Sequence, residues 1–144
     1  MKIISEDFQK FSENPENIFD TICNFDSYRK WWPRTIIFKM ISNPADIIGA
    51  EIKIRPYGIF GFSWVITNIS PNEKVVVKYC DGIYSGMGVW SLHKQEKEVL
   101  VRFSIDIESN NLLITIAGKI FNIRKTHKKM MKKVFLGLHE YLSI

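Results

Sequence analysis

The sequence is short of everything that would staple or embed a chain. Its two cysteines, Cys23 and Cys80, are too few for a disulfide framework, and neither makes a metal-type spacing with His93, His127 or His139. A reducing compartment is expected, with no metal and no cofactor. No apolar run approaches membrane-spanning length. The first residues turn acidic at Glu6-Asp7, where a signal peptide needs an apolar stretch, so a cytoplasmic location is expected. There is no internal repeat, low-complexity tract or linker-like stretch. The 144 residues therefore read as one domain, 1–144, long enough to bury about two-thirds of the extended chain's surface. Acidic residues are outnumbered, 15 against 20 Lys and Arg, for a formal net charge of +5.

Aromatic side chains are plentiful instead: 10 Phe, 5 Tyr and 4 Trp, 13% of the chain. Side chains this large either fill a core or line a cavity, and composition does not choose between the two.

The order of elements follows from punctuation and periodicity. A strand over Ile3 to Phe11 precedes Asn14-Pro15-Glu16, which combines an N-cap residue, a first-turn proline and an early acid and so starts a short helix. Ile18, Phe19, Ile22 and Cys23 share one face of it. Asp26-Ser27 caps a second short helix carrying Tyr28, Trp31 and Trp32, which Pro33 stops. Strand-like runs follow at Thr35 to Ile41, Ala50 to Arg55, Phe62 to Ile69, Lys74 to Cys80, Ile83 to His93 and Glu98 to Ile107, an antiparallel meander.

Three turns set a register. Asp81-Gly82 as a two-residue hairpin pairs Tyr79 with Tyr84, Val77 with Gly86 and Val75 with Gly88. A four-residue loop over Lys94 to Lys97 pairs Leu92 with Val99, Trp90 with Val101 and Gly88 with Phe103. Ser70-Pro71-Asn72-Glu73 as a type I turn places Trp64 opposite Tyr79 and Ile66 opposite Val77. Facing residues share a side of the sheet, so these turns define one inner face. It carries Trp64, Ile66, Val75, Val77, Tyr79, Tyr84, Trp90, Leu92, Val99, Val101, Phe103, Ile105 and Ile107, with Gly86 and Gly88 in its middle. Glycines there bend the sheet, admit a close helix or leave room for a ligand.

The C-terminal segment reads as a long helix over Lys125 to Ser143, with an earlier start at Leu112 weakened by Ile114-Thr115-Ile116 and Gly118. Ile120, Ile123, His127, Met131, Val134, Leu138, Tyr141 and Leu142 gather on one face, and Arg124, Lys125, Lys128, Lys129, Lys132 and Lys133 on the other. A one-sided antiparallel sheet and an amphipathic helix bury their apolar faces against each other, which makes the domain α+β.

This order, with Ile18-Phe19-Asp20, Tyr28 through Trp31-Trp32-Pro33, Ile48-Gly49, Trp64-Val65-Ile66 leading to Ser70-Pro71, and Gly86-Met87-Gly88-Val89-Trp90, resembles the START-like (SRPBCC) superfamily, in particular its polyketide cyclase/dehydrase and lipid-transport group. The resemblance spans essentially the whole chain. It implies a helix-grip fold, in which a curved seven-stranded antiparallel sheet wraps the long C-terminal helix and two short helices close one end. It also implies a mainly apolar cavity for lipids, polyketides, isoprenoids or related molecules. No universal catalytic motif comes with it, and a shared fold does not select a function.

Among the registered strands the inner face holds no carboxylate, Ser or Cys, which speaks against hydrolysis. The residues expected to meet a ligand are Trp64, Tyr79, Tyr84, Trp90, Phe103, His127 and Met131. His127 has three readings: a core histidine, a ligand contact, or, in a cyclase, the proton carrier beside a tyrosine hydroxyl. Trp31-Trp32-Pro33 reads either as a gate or as a packed plug. The basic helix face is either a solvated surface or a contact for anionic lipid headgroups. Nucleic acid is disfavoured, since no binding motif accompanies the charge. Three functions therefore stand: a binder or carrier of one hydrophobic molecule, an aromatase/cyclase or dehydrase-type enzyme, and a regulatory interaction protein with a filled core.

Overall fold

The computed structural model describes residues 1–143, with Tyr57 by its backbone. Strand β1 (Lys2–Phe11) leads into α1 (Pro15–Cys23), a 3-10 turn (Phe25–Ser27) and α2 (Tyr28–Trp31). The meander follows as β2 (Ile37–Ser42), β3 (Glu51–Tyr57), β4 (Phe60–Ser70), β5 (Lys74–Cys80), β6 (Tyr84–Gln95) and β7 (Glu98–Ser109). Two helices close the chain, α3 (Leu112–Phe121) and α4 (Ile123–Leu142). All seven strands form one antiparallel sheet in the order β1-β7-β6-β5-β4-β3-β2. The connection from β1 to β2 therefore crosses from one edge to the other, and α1 and α2 occupy it.

Local signals act as the residue types require. Asn14 caps α1, its Oδ1 accepting from the Glu16 N–H at 2.8 Å, with Pro15 in the first turn. The 13 expected inner-face side chains are all buried, none more than 7% exposed.

Two of the three turns change the expected cross-strand pairs. Tyr79 lies opposite Gly86, not Tyr84, and Val77 opposite Gly88. The cause is Ile83, which leaves the hairpin, donates its N–H to the Gly61 carbonyl of β4 at 3.0 Å and becomes buried there. At the β6–β7 turn Glu96 takes φ +44°, so only Glu96 and Lys97 turn; Leu92 pairs with Val101 and Trp90 with Phe103. Both corrections are shifts of two residues, which a period of two leaves without effect on facing. At the third turn, Ser70 pairs with Lys74 around a three-residue loop, and a bulge between Ile66 and Asn68 absorbs the extra residue. Trp64 consequently still faces Tyr79, and Ile66 still faces Val77.

The inner-face glycines open no room. Gly86 sits at φ +131°, where a side chain would drive into the Asp106 carbonyl, so the position is closed to any larger residue. The space above Gly88 is taken by the Phe103 ring and Val77.

The long helix is continuous as α4, and the weakened earlier start at Leu112 is a separate helix, α3. Asn122 adopts φ +52°, ending α3 and capping α4 through its Oδ1 to the Lys125 N–H at 3.3 Å. Ile120, expected on the buried face, is 69% exposed because it belongs to α3 and not to α4. Phe135, absent from the expected stripe, is buried against Phe11 and Trp90, with ring centroids 6.3 and 6.0 Å away.

Candidate functional site

A cavity of about 260 Å³ lies between the inner face of the sheet and the N-terminal half of α4. Its floor is aromatic: Phe62, Trp64, Tyr79, Tyr84 and Phe103 project from β4 to β7. The roof is α4, contributing Ile123, His127, Met130 and Met131. Trp32, Pro33 and Ile36 close the side toward α2, and Ile54 and Pro56 of β3 complete the wall. The exposed members, Thr35, Thr126, Lys129 and Lys133, mark the mouth. No lining residue is acidic, so the only fixed charges at the cavity are the two lysine ammoniums.

Six of the seven expected contact residues thus meet around one space: Trp64, Tyr79, Tyr84, Phe103, His127 and Met131. Trp90 does not reach it. It is fully buried below, its ring centroid 4.5 Å from Phe103 and 6.0 Å from Phe135, and serves the core. Residues that were not anticipated include Thr126 and Lys133, which run along α4 with Met130 at spacings of four and three. That strip lies directly beside the apolar stripe, and its periodicity is a signal that a search for fully apolar positions passes over.

Trp31-Trp32-Pro33 divides between the core and the cavity wall. Trp31 is packed away, its indole N–H donating to Ser27 Oγ at 3.0 Å, beside Tyr28, whose hydroxyl donates to the Ile22 carbonyl. Trp32 stacks on Tyr28 with centroids 5.3 Å apart and turns toward the cavity with Pro33. Both tryptophans are buried to within 5%.

Two features bear on chemistry. Burial pushes the Tyr79 phenol well above its usual range, and the nearby Trp64 indole, short of hydrogen-bond geometry, only partly offsets this. Tyr79 is therefore a neutral hydroxyl at the cavity. His127 Nδ1 lies 3.6 Å from Asp7 Oδ2, both side chains nearly buried. Asp7 comes from β1 and faces inward opposite Phe103 in the β1–β7 register, adding the carboxylate that the registered strands lacked. Its orientation was not legible because β1 alternates in both phases: Ile3, Ser5 and Phe11 are buried, while Ile4 and Phe8 are exposed.

The six basic residues of α4 are all exposed. Lys128 is engaged, its Nζ donating to the Glu6 carbonyl at 2.8 Å and standing 3.7 Å from Asp7. No described helix is long and apolar enough to cross a membrane.

Comparison with known proteins now has a geometry to meet. No family model and no curated protein sequence matches the chain. Solved structures do. A START superfamily protein from Mycobacterium smegmatis superposes with a TM-score of 0.75 at 12% identity, covering 97% of each chain. The chain has the START-like helix-grip fold. Two other solved structures share it. One is DynU16 of the dynemicin biosynthetic locus (TM-score 0.69, 8% identity, 97% of this chain and 47% of that one). The other is the Aha1 dimer from Colwellia psychrerythraea (TM-score 0.57, 16% identity, 87% of this chain and 92% of that one). At these identities the likeness establishes the fold alone, and a shared fold does not select a function.

Proposed function

We propose that this START-like domain binds and carries a small hydrophobic molecule, its apolar body in the cavity and an anionic or hydrogen-bond-accepting end at the mouth. The observation that carries the reading is the charge distribution of the site. About 260 Å³ of space is walled by aromatic and aliphatic side chains, and the formally charged residues among its described lining are lysines at the rim. That volume lies just below the range of roughly 300–1,000 Å³ typical of ligand pockets, which suits a compact ligand or one ring system or chain of a larger amphiphile. The neutral Tyr79 hydroxyl supplies a hydrogen bond inside. An open cavity is what the alternative of a filled core would lack.

Native mass spectrometry of freshly purified protein, followed by solvent extraction, tests the reading. A discrete small-molecule adduct is expected, and Ile105→Trp, which fills the cavity from the sheet side, should abolish it while the fold persists. Failure of the wild type to carry an adduct or to take up anilinonaphthalene sulfonate, an anionic aromatic probe, would overturn it.

One contact favours a second reading, an enzyme of the cyclase or dehydrase type. Asp7 Oδ2 stands 3.6 Å from His127 Nδ1 at the cavity wall, outside hydrogen-bond distance but placed to become the positioning group of a base if the two close up, with the Tyr79 hydroxyl available to steady an enolate. Turnover of a polyketide-like substrate, lost in His127→Gln with binding retained, is the outcome that distinguishes it.

A further inference from the structure

The least expected surface of the molecule is α3. Five of the thirteen exposed large apolar side chains among the described residues, Leu112, Leu113, Ile116, Ile120 and Phe121, fall within its ten residues. At about 100° per residue, Leu112, Leu113, Ile116 and Ile120 occupy one arc of roughly 100°, an apolar stripe of the width that normally faces a core. Here it faces outward. The opposite side holds the helix down: Ile114 is buried, Thr115 Oγ1 donates to Ser109 Oγ at 2.9 Å, and Asn111 Oδ1 caps the Leu113 and Ile114 N–H groups at 2.9 and 3.1 Å. The helix is thus fastened with its apolar side turned away from the protein.

Charge says what covers it. From Ser109 to His139 the sequence contains no Asp or Glu and seven cations: Lys119, Arg124, Lys125, Lys128, Lys129, Lys132 and Lys133. Only Lys128 among them stands within ion-pair distance of a carboxylate among the described residues. The far end of α3 adds to the surface. Ile59, at the β3–β4 turn and 85% exposed, shares a shallow depression with Asn110 and Asn111 just before α3, together with Lys53 and Arg55.

We infer that α3 is an interfacial anchor that seats the protein on a membrane containing anionic lipids. The aliphatic stripe enters the acyl boundary, and Lys119, Arg124, Lys125 and the following α4 lysines meet the headgroups. A second copy is the poorer occupant, because a two-fold contact through α3 would bring the same unpaired cations of both chains together. Nucleic acid is poorer still, since four of the five exposed side chains are aliphatic and give bases nothing to stack on. The inference does not rest on the cavity being occupied: the two surfaces share Lys129 and Lys133 at the mouth, but Ile116, Ile120, Arg124 and Lys125, which test it, do not line the cavity.

The test is co-sedimentation with vesicles of phosphatidylcholine and phosphatidylserine in about a 7:3 ratio, against phosphatidylcholine alone. Binding to the mixed vesicles is expected, weakening as salt rises. Ile116→Ser with Ile120→Ser should lower it about tenfold or more by removing buried apolar area. Arg124→Gln with Lys125→Gln should lower it by a similar factor, at about fivefold per cation. These positions are exposed, and unchanged thermal unfolding confirms that the variants are folded. An independent reading uses Phe121→Trp: the four native tryptophans are all buried, so the new one alone should shift its emission to the blue on adding mixed vesicles. Absence of binding at low salt, binding indifferent to the Ile116/Ile120 pair, or a concentration-dependent dimer abolished by that pair would each overturn the inference, the last in favour of a second copy.

Discussion

A Cβ placed on Gly137 would overlap the carbonyl oxygen of Trp31. This is the point at which α4 crosses the end of α2, and the two backbones meet there with no side chain between them. Because α2 carries Trp32 into the cavity wall and α4 forms its roof, this contact sets how far apart roof and wall can stand.

Gly137→Ala should therefore destabilise the protein by about 2–4 kcal/mol, more than a helical Gly→Ala exchange gains, because backbone cannot rotate out of the way as a side chain can. Urea unfolding midpoints measure the loss. The same variant should bind the anilinonaphthalene probe differently from wild type, since α4 must lift off α2.

Trp90 and Tyr84 should separate stability from binding. Trp90 lies under the cavity without touching it, so Trp90→Phe should cost about 1–3 kcal/mol of stability and leave probe affinity within about twofold. Tyr84 lines the cavity. Tyr84→Phe should change affinity for a ligand or probe with a smaller loss of stability. Isothermal titration alongside thermal unfolding checks both.

Alkaline pH should weaken the fold. Burial, helped by the Asp20 charge, pushes the Cys23 thiol up to about 12 from 9.0. Burial likewise raises the Tyr79 and Tyr28 phenols above 10.0, partly offset at Tyr79 by Trp64 and reinforced at Tyr28 by Cys23. Above about pH 9 the unfolded chain releases protons that the folded chain still holds, so stability falls as pH rises, by up to about 1.4 kcal/mol per pH unit for each such group. Denaturant midpoints measured from neutrality upward should show the decline, and Cys23→Ala should flatten its lower part. A flat wild-type profile would contradict the burial of these groups.

The two thiols should differ in reactivity. Cys23 is buried with its thiolate strongly disfavoured, whereas Cys80 is half-buried and its thiol less protected, although burial and the nearby Asp81 and Glu51 raise it too. One equivalent of iodoacetamide should react in the native state, at Cys80, and the second only on unfolding. Peptide mapping after timed alkylation reads the order.

The period-two alternation of β4 to β7 was enough to place four of the five floor aromatics on one face, with Phe62 missed, because every turn error was a shift of two residues or was absorbed by a bulge. Trp64, Tyr79, Tyr84 and Phe103 could therefore be placed on one face before their partners were known. The helical stripe of α4 was legible through His127, Met131, Val134 and Leu138 for the same reason, its period surviving an error in where the helix begins. The fold class followed, since two one-sided elements have little choice but to cover each other.

What lay beyond the sequence depends on distances between elements that are far apart along the chain. Whether the aromatic face leaves a cavity depends on how closely α4 approaches the sheet, and α4 is held against α2 by the Gly137–Trp31 contact across more than a hundred residues. Whether Asp7 meets His127 depends on β1 pairing with β7, and β1 carries apolar residues in both phases. Whether the apolar residues of α3 are core or surface depends on Asn122 turning the chain through a left-handed conformation. Periodicity records which residues share a face, and the sequence by itself determined that. Only tertiary packing decided which faces are covered, by what, and with how much space between them.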